Sequence, residues 1–220
     1  SSIPISANAL AEIIIAAHER WGDDAPAHLL GDYVYTYWDA PRQRLLLVRS
    51  PYAPKLLFYR LLPEGLYFAT SLPALRAIAP QGLTENVPYL ADFLTLDLMR
   101  FHDETLFNEI TKVPTAHTIS WSPVDNSNER RRFWQVTLTD RYDNLSDSDW
   151  RELLRTTFEE AVATRLRARH PISIAVSGGI DSSAISSIAH RLMHREGRVP
   201  VVPTHLFTDR MRAWPETEEG

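Results

Sequence analysis

A chain of 220 residues with 44% hydrophobic and 23% charged residues has the composition of an ordinary globular protein, long enough for one large or two small domains. Its formal net charge of −5 leaves no electrostatic footprint for nucleic acid, and the absence of cysteine excludes disulfides and thiolate chemistry in these residues and fits a cytoplasmic protein. The longest apolar stretch, around Ala9 to Ala17, contains Glu12 and is far too short to span a bilayer.

In chain order, Leu10, Ile13, Ile14 and Ala17 recur at helical spacing and predict a helix packed through that stripe. Gly31 to Asp39 and Arg44 to Arg49 read as two strands joined by a turn at Ala40-Pro41-Arg42-Gln43. Tyr33, Tyr35 and Tyr37 alternate along the first, which places them on one face in core or interface packing. Leu66 to Ser71 reads as another strand, and Glu104 to Ile110 leads into Lys112 to Ile119, with His117 expected at a strand end. Pro123–Arg132 reads as a polar connector, and Asp140 to Asp149, polar and aperiodic, as a domain boundary ending in capping residues. Trp150, Leu153, Leu154, Phe158, Ala161, Val162 and Leu166 then form one face of an amphipathic helix. Its acidic start (Asp147, Asp149, Glu152) and basic end (Arg165, Arg167, Arg169) match the helix macrodipole, with a phosphate clamp as the competing reading of the arginines.

The most informative stretch follows. Ile172 to Val176 is a short apolar run of the kind that forms a buried parallel strand. Ser177-Gly178-Gly179 breaks it, and Asp181-Ser182-Ser183 opens a second helix through Ala184, Ile185, Ile188, Ala189 and Leu192. Adjacent glycines permit positive φ and close approach of a ligand to the backbone. A helix beginning at that point aims its unbonded N–H groups into the same space. Serine hydroxyls add donors, and Asp181 adds a carboxylate suited to magnesium beside phosphates. No lysine follows the glycines and no G-x-G-x-x-G is present, so neither the Walker loop nor the dinucleotide fingerprint applies. The eight histidines show no metal-ligand spacing, so no metal beyond magnesium on a nucleotide is expected. Val199 to Phe207 reads as a further strand, awkward for its prolines, and Glu216-Thr217-Glu218-Glu219 as an acidic element after it.

The loop Ser177 to Ser183 resembles that of the ATP pyrophosphatases. The order of the earlier segments is similar to that in glutamine-hydrolysing asparagine synthetases: the Gly31 strand, the strand ending in Arg49, the Leu66 strand, Glu104-Thr105-Leu106-Phe107, and Lys112-Val113-Pro114 before His117. The resemblance runs from about Ala9 to the C-terminus. It implies an α+β N-terminal-nucleophile, glutaminase-like sandwich portion over residues 1–140, followed over 141–220 by the start of an α/β Rossmann-like ATP pyrophosphatase domain. It also implies ATP and Mg2+ as cofactors. Ser177, Gly178, Gly179, Asp181, Ser182 and Ser183 would then bind pyrophosphate, Asp181 would hold magnesium as the catalytic residue, and Ala175 and Val176 would border the adenosine.

The departures are informative too. That amidotransferase half starts with a catalytic cysteine, and none is present; the turn written R-D-x-x-G in the family is here Arg49-Ser50-Pro51-Tyr52-Ala53, and an aspartate of glutamine-using relatives is replaced by Leu10. The front of the first domain and most of the second are expected to lie outside these residues, including a late lysine, since no lysine follows Lys112. The expected function is an ATP-dependent ligase that activates a carboxylate as an acyl-adenylate with release of pyrophosphate. An amine internal to the substrate, as in lasso-peptide cyclases and β-lactam synthetases, is favoured over ammonia from glutamine. The alternatives are a glutamine-hydrolysing asparagine synthetase whose cysteine lies outside the chain, and a non-catalytic scaffold that retains the fold. Expected partners are a small carboxylate or peptide substrate, with a homodimer or a peptide-delivering protein compatible, and neither nucleic acid nor membrane. The chain alone is expected to be inactive.

Overall fold

The computed structural model describes residues 7–96, 103–168 and 171–200. The chain divides into two compact units between Leu138 and Thr139.

The first unit opens with α1 (Ala7–Trp21), a 3-10 turn (Gly22–Asp24) and the short α2 (Ala25–His28). Strands β1 (Val34–Asp39), β2 (Arg44–Arg49), β3 (Phe58–Leu62) and β4 (Gly65–Ala69) follow, then α3 (Leu72–Ile78) and α4 (Val87–Leu96). Strands β5 (Thr111–Lys112), β6 (His117–Trp121) and β7 (Asn128–Arg132) complete it. They form two antiparallel sheets, β1-β2-β6-β7 and β4-β3-β5.

Period-2 alternation explains the layering. On β2, Leu45 and Leu47 point between the sheets, where Leu47, Leu57, Val113 and Ile119 are buried with Leu66 and Tyr59 packed on them. Leu46 and Val48 point the other way, into a cluster with Tyr35, flanked by Tyr33, Tyr37 and Ile14 of α1. On the far side of the second sheet, Phe58 and Ile110 bury Leu75 of α3. The result is four layers, helix, sheet, sheet, helix. Arg60 is buried on the α3 side, where its guanidinium donates to the carbonyls of Ala79 and Gln81, the unbonded acceptors past the end of α3.

Several expectations are revised here. Leu10 and Ile13 are 52% and 48% exposed; the inward face of α1 is Ile14, Ala17 and His18. His18 replaces the expected leucine by bonding the Tyr35 hydroxyl at 3.0 Å and stacking on Tyr37 at 4.1 Å. The supposed connector 123–132 ends in β7, which pairs along its length with β6. His117 begins β6 instead of ending a strand, and Glu104 to Ile110 is irregular apart from one bridge between Glu85 and Phe107. Among the described residues, no helix is long and apolar enough to cross a membrane.

The second unit contains α5 (Asp147–Arg165) and α6 (Ile180–Arg195). Ser146 and Asp149 form a reciprocal capping box at the start of α5. Val162 and Leu166 pack on Ala189 and Met193 of α6, with Phe158, Ile172 and Ile174 against them. The apolar stripe of α5 is buried only in its C-terminal half: Leu154 is 70% exposed, and exposed Trp150 lies 5.8 Å from the Tyr142 ring at a tilt of 56°. Ile172 to Val176 is not a continuous strand; Ser173 and Val176 are single bridge residues, and Ser173 and Ala175 are exposed. A parallel strand buried on both faces is therefore not what residues 172–176 form in the described structure. The expected strand at Val199 to Phe207 and the acidic element at Glu216 to Glu219 lie outside the described residues except for Val199 and Pro200, which are irregular.

Candidate functional site

The loop at 177–183 joins the packed segment Ile172–Val176 to α6, and the apolar side of α6 holds its position against α5. Gly178 has φ +84, a conformation in which a side chain is strained. Gly179 is the N-cap residue at φ −76 and ψ 163, open to any residue, and a Cβ there would meet only the Ser177 hydroxyl at 3.6 Å. The two glycines thus differ. The backbone at Gly178 favours glycine, whereas Gly179 answers no packing or backbone need and leaves room for a group to approach the main chain.

No side chain caps α6. Its first helical bond runs from Ser183 N–H to the Gly179 carbonyl, so the amides of Ile180, Asp181 and Ser182 lie in the turn where helical donors lack internal acceptors. Ser182 Oγ donates to the Gly179 carbonyl at 3.2 Å, accepts from Ser177 N–H at 3.2 Å and lies 3.1 Å from Ser177 Oγ. A hydroxyl has one proton and two lone pairs, so Ser182 is fully occupied in closing the loop. The donors left facing outward belong to the backbone amides and Ser183. Ser177, Gly178, Gly179, Asp181 and Ser183 are all exposed.

This arrangement fits a polyphosphate with magnesium. Uncapped amides and the positive helix end attract anionic oxygens. Magnesium is commonly held by one or two carboxylates together with phosphates and water, which Asp181 alone can satisfy. Among the described residues, no group of three or more histidine, cysteine or acidic side chains converges as an all-protein metal cage. Ala175 lies on a cleft of about 510 Å³ shared with Phe158, Ile174 and Ile185, an apolar surface next to the loop. The sequence-predicted residues are neighbours in the chain between positions 175 and 183, and Val176 is half-buried.

In the first unit, the Arg49 guanidinium donates to the carbonyls of Val113 at 3.2 Å and Ala53 at 3.1 Å. Fully buried Ser50 exchanges bonds with the Tyr33 backbone, accepting at Oγ and donating from its amide. The turn lacking its aspartate and glycine is therefore held by arginine and serine. A separate cavity of about 320 Å³ is lined by Leu56, Phe58, Tyr89, Phe93, Glu104 and Lys112. The Lys112 ammonium stands 5.6 Å over the Tyr89 ring, and burial depresses its pKa. The sequence carries no local sign of this cavity, because its walls come from segments far apart in the chain.

Residues 4–134, more than half of the chain, match the glutamine amidotransferase domain. The chain belongs to that family. Residues 153–218 match asparagine synthase, and the 177–183 loop falls in this second match. The amidotransferase-family chain is 29% identical to amidase chry2 of Gibberella zeae over 216 residues, covering 97% of this chain and 31% of the relative. It is 29% identical to amidase chyE of Penicillium rubens, covering 84% and 27%, and 27% identical to asparagine synthetase [glutamine-hydrolyzing] 3 of Bacillus subtilis, covering 86% and 30%. The chain spans about a third or less of the length of these relatives.

Proposed function

We propose that residues 177–183 bind the pyrophosphate end of Mg–ATP in an ATP-dependent, amide-forming ligase of the asparagine synthetase type. The observation that carries this reading is the unexplained Gly179: an exposed N-cap glycine with ordinary φ beside an uncapped helix start. Anion binding supplies the missing reason, because a Cβ at that point would stand between the amides and an approaching phosphate. Gly178, Gly179 and Ser183 would cradle the phosphates, Ser177 and Ser182 would hold the loop, and Asp181 would bind magnesium. Ala175 and Val176 would border the nucleoside. With pyrophosphate so held, a substrate carboxylate would attack the α-phosphorus, giving an acyl-adenylate that an amine then converts to an amide with loss of AMP. The protein's contribution is fixed donors aimed at the charge that develops on the leaving pyrophosphate.

Leu10 in place of the aspartate of glutamine-using relatives and the altered Arg49–Ala53 turn support an amine carried by the substrate itself, a cyclase-like reaction. A second reading, glutamine as the amine source, is favoured by the amidotransferase family match and by the glutamine-hydrolysing relative in Bacillus subtilis. Pyrophosphate release by the full-length protein tests the first proposal. Asp181→Ala should abolish it and Gly179→Ala should impair it, both with unchanged circular dichroism; turnover at the parent rate in both would sink the assignment. Glutamate release from glutamine separates the two amine sources, and the cyclase-like reading expects none above buffer.

A further inference from the structure

We infer that His190 and His194, on the exposed face of α6, form a two-histidine chelate for a borderline divalent cation such as Zn2+, Cu2+ or Ni2+. The eight histidines are otherwise scattered, but His190 and His194 stand at the H-x-x-x-H spacing of a zinc-ligand pair. On α6 they stand four residues apart, one helical turn, so both project from the same side. Their ring centres are 6.1 Å apart with planes inclined by 32°, and both side chains are exposed. Two imidazole nitrogens bound at about 2.05 Å to a tetrahedral ion stand roughly 3.3 Å apart. Rotation about the free χ angles of two exposed rings closes that gap without moving the helix. The i, i+4 pair on one helical face is the arrangement by which helices present histidine to zinc.

The surroundings favour a cation. His194 lies in the last turn of α6, at the negative end of the helix dipole. Of the two arginines adjacent to the pair, Arg191 is directed to Glu159 at 2.7 Å, and Arg195 follows His194 in the last turn of α6. Ser187, one turn before the pair, is exposed and small, so the ion's remaining positions are open to water. Imidazole selects zinc, copper and nickel, whereas the oxygen-rich loop at Asp181 suits magnesium. The two sites therefore take different ions, and this one does not depend on nucleotide binding.

The test is calorimetric titration of the nucleotide-free protein with ZnCl2, with electron paramagnetic resonance of added Cu2+ as an independent readout. We expect one ion per chain and a copper spectrum showing two nitrogen ligands. His190→Asn or His194→Asn should each weaken binding by on the order of a hundredfold, the advantage that a second linked donor confers. Zinc should raise the melting temperature of the parent and not of either variant, because an ion that binds only the folded helix stabilises it by mass action. His28→Asn and His117→Asn, in the other unit, should leave the titration unchanged. Absence of binding at submillimolar zinc, or binding that survives either substitution at α6, would overturn the proposal.

Discussion

The two compact units are closed to different degrees. In residues 5–138, apolar side chains fill three successive layers, from α1 through both sheets to α3. Among the described residues of the second unit, a single cluster around Val162, Leu166, Ala189 and Met193 holds two helices and the segment before the loop. Burial decides the fold of the first unit, where buried Arg60 donates from its two terminal guanidinium nitrogens to two carbonyls. Backbone geometry decides the candidate site of the second, where exposed small residues surround a helix end. A mutation in one should therefore report on stability, and a mutation in the other on ligand.

The largest effect should come from the layer between the sheets. Leu47→Ala, at a fully buried side chain, should cost about 2–5 kcal/mol of stability, measured by urea unfolding. A cost below about 1 kcal/mol would mean that the sandwich collapses to fill the gap and is less tightly built than its burial indicates.

A smaller effect should follow acidification. Burial pushes the His18 imidazole below the ordinary histidine range. Its neutral form is therefore favoured in the folded state, so its contribution is complete above the unfolded-state pKa of about 6.5 and is lost as pH falls from there through the folded value. His18→Gln should flatten the dependence of stability on pH below that point. An unchanged pH profile in the variant would show that His18 does not couple to folding.

In the second unit, Ser146→Ala removes one half of the capping box and should cost about 1 kcal/mol, read as loss of α5 helicity or lowered melting temperature. The smallest stability change should be that of Gly179→Ala, within about 0.5 kcal/mol, because its φ is ordinary and its Cβ has room. Gly178→Ala at φ +84 should cost roughly 1–2 kcal/mol by comparison. Equal stability losses at the two positions would remove the distinction on which the candidate site rests.

Much of this was legible in the chain. Strand β2 was bounded as Arg44 to Arg49, since it is a run of four apolar residues between two arginines, and α5 was visible from its caps. Strand β3 was not, because both of its faces are covered: Phe58 and Arg60 face α3 while Tyr59 faces the other sheet, leaving no alternation to read. Strand β7 was missed for the opposite reason. Asn128-Glu129-Arg130-Arg131-Arg132 is entirely exposed, and an edge strand of charges carries the signature of a linker. The stripe on α1 was placed one position off, since a histidine that bonds a buried tyrosine hydroxyl does not announce itself as a core residue.

The sequence by itself determined which residues form the loop, because a Gly-Gly turn followed by Asp and Ser is a local pattern whose chemistry lies in adjacent positions. It also determined the alternation of tyrosines on β1, where neighbouring residues see opposite environments. Tertiary structure decided what local pattern cannot encode. It showed that Gly178 and not Gly179 takes positive φ, and that Ser182 spends its hydroxyl inside the loop. It turned Arg60 and Arg49 into core ligands of backbone carbonyls. In each of these cases the deciding partner is set by packing, and packing energies belong to pairs of residues rather than to either residue alone.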